Sequence, residues 1–507
     1  MGDRRKNYRP WDAEHYSQQS VSPQEALPED DLVFFLIDLI PQLDLWTFHD
    51  HYARQMRGQP PYDVTMMVIL LVYAYAVGVC SSRKIATACE RNLAFRAIVG
   101  EGVPDFRTIS DFRLIHKAAF ADLFVEVLRV AGQMGMVKLG NLSTDGTKMG
   151  ANASRHKAMS HGYMDKELER LRSQINELLK QAEQIDAQQD AALGSRRGDE
   201  LPDELKRRTD RLAKIQQAKA RLEAEAKAKA DEEQSRRDDQ EAQRQAAGRK
   251  RRGRVPAPVD PTPEEKAQTN FTDPQSKIMK QSNKGFDYSY NAQAVVDAEF
   301  QIIVAAEVTQ EANDKKQAVP MAKAAISNLQ AAQIERPQRE DGTPKPIPNT
   351  LDNGYFTEAA VAGLEELGLD PHMATGRQKH NEAPVPVLAG TPDPVGTTAP
   401  AGTSAAPTDT PSATPTSAQT PAPSGTAAET MTVKEKMQQK LRSSAGKALY
   451  AARKHIIEPV FGQIKAARGI RRFLLRGLAK VAAEWKLICL THNLLKIWRR
   501  ACKAIPS

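Results

Sequence analysis

The chain has 507 residues, of which 40% are hydrophobic and 26% charged, which is enough for two or three domains around a real apolar core and excludes a peptide or small module. Its formal net charge is +8, yet from Met431 to the end there are 18 Lys/Arg against 3 Asp/Glu, so the preceding chain sums to −7. A basic end of that strength suits a polyanion such as DNA or RNA. Cys80, Cys89, Cys489 and Cys502 are scattered, with no Cys-x-x-Cys, which argues for a reduced cytosolic protein without structural zinc. The opening Met-Gly-Asp-Arg-Arg-Lys has no apolar stretch behind it, so no secretory signal is expected. The longest apolar run, Met66 to Val79, is too short to span a bilayer and reads as a buried helix.

In chain order, residues 1–30 are a polar arm and residues 31–135 an all-helical N-terminal domain. Leu32, Phe35, Leu36, Leu39, Ile40 and Leu45 recur at helical spacing, and Asp63 is placed to cap the buried helix. A short helix from Ser82 carries Ile85, Ala86 and Cys89, and Thr108 to Asp111 has the form of a capping box opening a long amphipathic helix through Phe112, Phe120, Phe124 and Val127. Successive short helices permit a helix-turn-helix style DNA reader but serve equally as scaffolding.

From Met136 the pattern turns to strands. Val137 to Lys148 reads as a strand leaving through an Asp145-Gly146 turn, followed by extended sections at Tyr288–Val296 and Gln301–Val308, a helix over Lys315–Leu329, a strand ending at Asp352, and a helix from Thr357. A mixed sheet with covering helices is the economical fold, assembled from residues 136–163, 268–380 and 431–507. Two insertions interrupt it. Residues 164–267 carry sparse seams, Leu168, Leu171, Ile175 and Leu178, then Leu205, Leu212, Ile215 and Leu222, which a break at Gly194–Pro202 folds into an antiparallel helical hairpin ending in the basic run Arg249–Arg254. Residues 381–430 form a Pro/Thr/Ala/Ser linker that lacks the apolar residues to pack and reads as disordered.

The chemistry-bearing stretch lies near the end, from Tyr450 through Arg453 and Glu458 to Lys465. On a regular helix Glu458 and Lys465 fall within roughly 20° of one face, with Tyr450 on the same side and Arg453 flanking it. A carboxylate among bases is a good third ligand for a hard cation that also grips phosphate, although an ordinary surface ion pair explains it as well. Pro459 predicts a kink or a fresh helix start at Glu458. Asp145 and Asp352, taken singly, are turn residues; joined by Glu458 they make the oxygen set that a two-metal phosphoryl-transfer site requires. Asp273 and Asp314 are rival carboxylates, read as a turn residue before Pro274 and as a helix cap.

Thr144-Asp145-Gly146-Thr147-Lys148, Asn270 to Met279 with Tyr290-Asn291 and Gln293 after it, Leu351-Asp352-Asn353-Gly354-Tyr355, and the Tyr450, Arg453, Glu458, Lys465 signature together resemble the DDE transposases of bacterial insertion sequences. Gly78 to Ile85 and Pro104 to Arg113 resemble that family's helical domain. The ordered combination is specific where no single motif is, although four residues separate Arg453 from Glu458 where the common signature has three. The resemblance implies an α/β, ribonuclease-H-like mixed sheet behind the helical domain. It implies Asp145, Asp352 and Glu458 as catalytic, metal-binding residues, with Mg²⁺ as cofactor and Mn²⁺ able to substitute. Lys148, Tyr450, Arg453 and Lys465, together with Arg471, Arg472 and Arg476 of the basic end, are the expected DNA-binding residues. The expected partners are element-end and target DNA and further copies of the chain, in a homodimer or higher oligomer on DNA, with no membrane partner and a cytoplasmic, nucleoid-associated location. The alternative is a transposase-derived DNA-binding protein that has lost catalysis, distinguished by the absence of any divalent-dependent nicking.

Overall fold

The computed structural model describes residues 23–53, 60–193, 203–248, 253, 255–281, 283–376 and 431–504. Most of the predicted arm, the Gly194–Pro202 break, the Arg249–Arg254 run apart from Gly253, and the 381–430 linker lie outside the described residues.

The N-terminal region is helical: α1 (Leu32–Leu39), α2 (Trp46–Ala53), α3 (Val64–Ala76), α4 (Ser82–Arg91), α5 (Leu93–Val99), α6 (Phe106–Ile115) and α7 (Ala119–Gln133). Apolar on every side, α3 is buried along its length from Met67 to Ala76, as a helix without a polar face must be. Asp63 caps it by accepting from Met66 N. The expected capping box at Thr108 is not the start of α6. Asp105 is the cap, accepting from the amides of Arg107 and Thr108, and the expected long helix breaks near His116 into α6 and α7. No single described helix is long and apolar enough to cross a membrane.

The C-terminal end of α3 shows how the two regions of the chain are locked. Gly78 adopts φ +81, while Val79 N donates to Ala74 O and Gly78 N to Tyr75 O, the paired bonds of a Schellman motif. A Cβ on Gly78 would lie 2.3 Å from the backbone oxygen of Arg468. Gly78→Ala is therefore expected to cost more than about 2 kcal/mol, since both the left-handed backbone and the close approach oppose it; urea denaturation of the full chain measures this.

The sheet begins with β1 (Leu142–Gly150). It is followed by β2 (Ala158–Ser160), α8 (His161–Leu193), α9 (Asp203–Ala246), β3 (Gln268–Asn270), β4 (Lys277–Lys280), β5 (Phe286–Asp297), β6 (Ile303–Thr309), α10 (Ala318–Ala331), β7 (Ile347–Leu351), α11 (Glu358–Glu366) and β8 (Leu369–Met373). After the linker come α12 (Val433–Arg442), α13 (Ser444–Gly462) and α14 (Leu478–Ala504). The main sheet is six-stranded. β1 pairs antiparallel with β5 from Leu142↔Asp297 to Gly150↔Ser289, and parallel with β7 over Leu142–Thr144. β7 is in turn parallel to β8, and β4 and β6 share the far edge of β5. The parallel strands are linked through α10 and α11, which supply the crossovers that parallel pairing demands. Asp145-Gly146 is thus no turn: β1 continues through it to Gly150.

Ser160 pairs with Gln268 in a separate two-stranded sheet, so the chain between them leaves and returns at one place. Within that excursion α8 and α9 pack through Met164, Leu168 and Leu171 against Ile215, Ala218 and Leu222, a cluster distinct from the main core. The N-terminal helices, the sheet and α14 share one continuous core. In α14, Val481, Trp485, Ile488, Cys489 and Leu490 are buried, and the helix packs on α3, α7 and β6.

Pro459 does not start a fresh helix: α13 is continuous from Ser444 to Gly462 with the proline inside it. A proline leaves the carbonyl four residues earlier without its helical donor; here that carbonyl, on His455, accepts from Gln301 Nε2 at 3.0 Å.

Candidate active site

Asp145 and Asp352 are brought together by strand register. Thr144 pairs with Leu351, so each aspartate follows the last parallel pair on neighbouring strands about 5 Å apart. Asp352 Oδ1 accepts from Gly354 N at 2.7 Å. Asp145 Oδ1 accepts from Gly146 N at 2.8 Å and Oδ2 from Arg453 Nη1 at 3.0 Å. Burial pushes the Asp145 carboxyl up to about 6; the Arg453 guanidinium opposes that, and the charges of Asp352 and Asp314 add to it. This half-buried pair of carboxylates has the oxygen-donor chemistry for a hard cation.

Asp314 belongs to the same place. It does not cap α10, whose N-terminal residue Gln317 carries no side-chain cap. Its Oδ1 accepts from Asn291 Nδ2 and Gln293 Nε2, both at 2.7 Å, and lies 3.8 Å from Lys148 Nζ. Tyr355, fully buried, donates its hydroxyl to Gln293 Oε1. Gly146 admits this arrangement, because a Cβ there would come within 2.1 Å of Gln293 Nε2. Burial lowers the Lys148 pKa, against the pull of Asp314, Asp145 and Asp352.

Tyr450 and Arg453 face this cluster from α13. The guanidinium lies 5.9 Å from the Tyr450 ring centre, and its Nε is buried without a partner. Lys465 donates to Thr147 Oγ1 and to Lys148 O, and burial, reinforced by Arg471 and Lys148, brings its ammonium down to about 8. Regular α-helical geometry does not run through to Lys465. Residues Gln463–Ala467 form a π-helical turn, which adds residues per turn and rotates Lys465 off the register of a regular helix. Glu458 is exposed, with no ion pair among the described residues. Among the described residues, no three His, Cys, Asp or Glu side chains lie close enough to hold a metal ion. The structure therefore joins two of the expected trio and leaves the third on the flanking helix.

The basic loop after the π-helical turn docks on the end of β1. Phe473 N donates to Gly150 O and Gly150 N to Arg471 O. Arg471, Arg472 and Arg476 are all exposed; Arg476 Nε donates to Asn152 O, and Arg472 lies 3.9 Å from Asp287. Asp273 is fully buried, accepting from Tyr290 OH and Gly477 N. It anchors this loop, a larger role than the turn expected of it.

Two family models match the chain, a Transposase domain (DUF772) over residues 21–114 and a Transposase DDE domain over residues 417–498. No curated protein and no solved structure matches it. The second match covers α12, α13 and most of α14, and so contains Tyr450, Arg453, Glu458 and Lys465. The first covers the helices that pack on α14 through α3. Two separate parts of the chain, one on either side of the Asp145–Asp352 cluster in sequence, are thus matched to transposase domains, which supports a DDE transposase of an insertion sequence.

Proposed function

We propose that the chain is a DNA transposase with a ribonuclease-H-like catalytic sheet, cleaving phosphodiesters at element ends and joining the freed 3′-hydroxyl to target DNA. The observation that carries this reading is the placement of Asp145 and Asp352 beyond the last parallel pair of β1 and β7, with Arg453 paired to Asp145 and Lys148 paired to the adjoining Asp314. Asp145 and Asp352 would hold Mg²⁺, with Mn²⁺ as a substitute, and Glu458 would complete the set when DNA draws α13 inward. A bound divalent ion supplies charge for the scissile phosphate and acidifies the attacking water. Arg453 then exchanges its bond to Asp145 for a phosphate oxygen, which gives its unpartnered Nε an acceptor. Lys148 and Lys465 line the same approach. Oligomerisation on paired DNA ends and a nucleoid-associated, cytoplasmic location belong to the same reading. The test is incubation of the full chain with element-end DNA and Mg²⁺: end-specific nicking supports it, and none in either Mg²⁺ or Mn²⁺ favours the catalytically inactive DNA-binding alternative.

DNA is expected to run across the Arg471–Arg476 loop toward the N-terminal helices, where Arg83 and Arg107 lie 5.0 and 5.7 Å from the exposed ring of Phe106. Changing Arg471, Arg472 and Arg476 to Ala should flatten the log–log salt dependence of binding by up to about 3 units, near 0.9 per phosphate contact. An unchanged slope moves the DNA path elsewhere.

A further inference from the structure

Asp314 is a carboxylate that the proposed metal-binding trio does not use, and two side-chain amides hold its Oδ1. Both amides that donate to it are on fully buried residues of β5, Asn291 and Gln293. Asn291 also donates to Glu311 O, and Gln293 is fixed in turn by Tyr355. Lys148, by contrast, ends a long flexible side chain. Asp314 is the carboxylate it reaches as an ion pair among the described residues, while it also feels Asp145 and Asp352. Asn291 Oδ1, buried and without a donor, borders the same space: a Cβ on Gly146 would lie 2.8 Å from it and 2.9 Å from Asp314 Oδ1.

We propose that Asp314 is a positioning residue that tethers the Lys148 ammonium away from Asp145 and Asp352, keeping those two carboxylates available to a divalent cation. The proposal rests on the metal-binding reading above. With Asp314 neutralised, Lys148 loses its fixed partner and falls on the neighbouring carboxylates, where it acts as a tethered competitor at high effective concentration. Asp314 thus shapes the site without being a ligand of the ion.

The test is titration of Mn²⁺ alone into the full-length protein, followed by calorimetry, for wild type, Asp314→Asn, Lys148→Gln and the double variant, with Asp145→Asn alongside. Asp314→Asn is expected to weaken Mn²⁺ binding about tenfold, the scale of losses on removing a group that orients a metal site. Lys148→Gln is expected to strengthen binding at least about threefold more in the Asp314→Asn background than in wild type, the coupling that a tethered competitor produces and independent charges do not. A thermal melt without metal checks that each variant is folded, and Lys148→Gln tests the competitor by itself, because removing it must not weaken Mn²⁺ binding. Unchanged binding in Asp314→Asn, additive effects in the double variant, or weaker binding in Lys148→Gln would each overturn the proposal while leaving the Asp145–Asp352 reading intact. Wild-type Mn²⁺ affinity in Asp145→Asn would overturn that reading, and this proposal with it.

Discussion

Asp145→Asn and Asp352→Asn are each expected to reduce metal-dependent cleavage and strand transfer by on the order of 10³-fold or more, because the amide keeps the shape of the side chain and loses the anionic ligand. Binding of DNA without metal should persist in both. Glu458→Gln should be as inactive on DNA, yet lose less Mn²⁺ affinity in the absence of DNA than Asp145→Asn does, since Glu458 is exposed and apart from the pair. Asp145→Asn also carries a signature in stability. Burial raises its carboxyl pKa to about 6 from an ordinary 3.8, so the folded protein holds the proton more tightly than the unfolded chain. Stability contributed by this group is therefore lost as pH rises from about 4 to about 6. The metal-free Asp145→Asn protein should melt above wild type at pH 8, and the difference should close below pH 6. Near-normal turnover in either aspartate variant would remove the basis of the assignment. Asp273→Asn, which a turn role would make a neutral control, is instead expected to lower stability, because Asp273 is buried and holds the Gly477 loop.

The two aspartates were legible in the sequence because each follows a β-rich run, but the reason for their nearness was not. Asp-Gly ordinarily signals a turn; here Gly146 stays in β1 because its missing Cβ makes room for the side chains of β5. Asp314 looked like a cap, and only tertiary structure reveals the Asn291 and Gln293 amides behind it. The Tyr450–Lys465 stretch reads as regular helix, and α13 carries it as far as Gly462. A wheel at 100° per residue cannot register the π-helical turn at Gln463–Ala467, nor can local propensity foresee that Gln301, far away in sequence, satisfies the carbonyl that Pro459 orphans. β8 was missed because Asp370 and Pro371 interrupt its apolar pattern, although parallel pairing with β7 buries most of the strand. The long apolar α3 and the basic C-terminal end were plain from composition, since burial on all sides and segregated charge need no long-range partner to be read.

Glu484→Leu should destabilise the folded chain by about 3–5 kcal/mol, the range for removing one member of a buried charged network. Glu484, near the start of α14, is only 1% exposed. One oxygen accepts from Tyr75 OH and Leu474 N, and the other from the amides of Leu474 and Leu475. Arg113 closes the network from α6, donating to Tyr75 OH at 2.8 Å and also to Cys80 O and Ser82 Oγ. Leucine fills comparable space but leaves two backbone N–H groups, a tyrosine hydroxyl and a nearby guanidinium short of an acceptor or counter-charge. Glu484→Gln keeps one acceptor and should cost less than half as much, while Tyr75→Phe should cost about 1 kcal/mol. Burial is the largest influence on the Glu484 carboxyl and raises its pKa against the pull of its hydrogen bonds and Arg113. Its contribution to stability therefore falls as pH rises above the ordinary 4.5. The gap between wild type and Glu484→Leu should then be wider at pH 5 than at pH 8 in urea denaturation, and a gap that widened with pH would contradict this account. Because Leu474 and Leu475 immediately precede Arg476, the same network fixes the arginine loop against the N-terminal helices. The folded fraction of Glu484→Leu should accordingly bind DNA more weakly than wild type at equal salt, and equal affinity would confine Glu484 to stability alone.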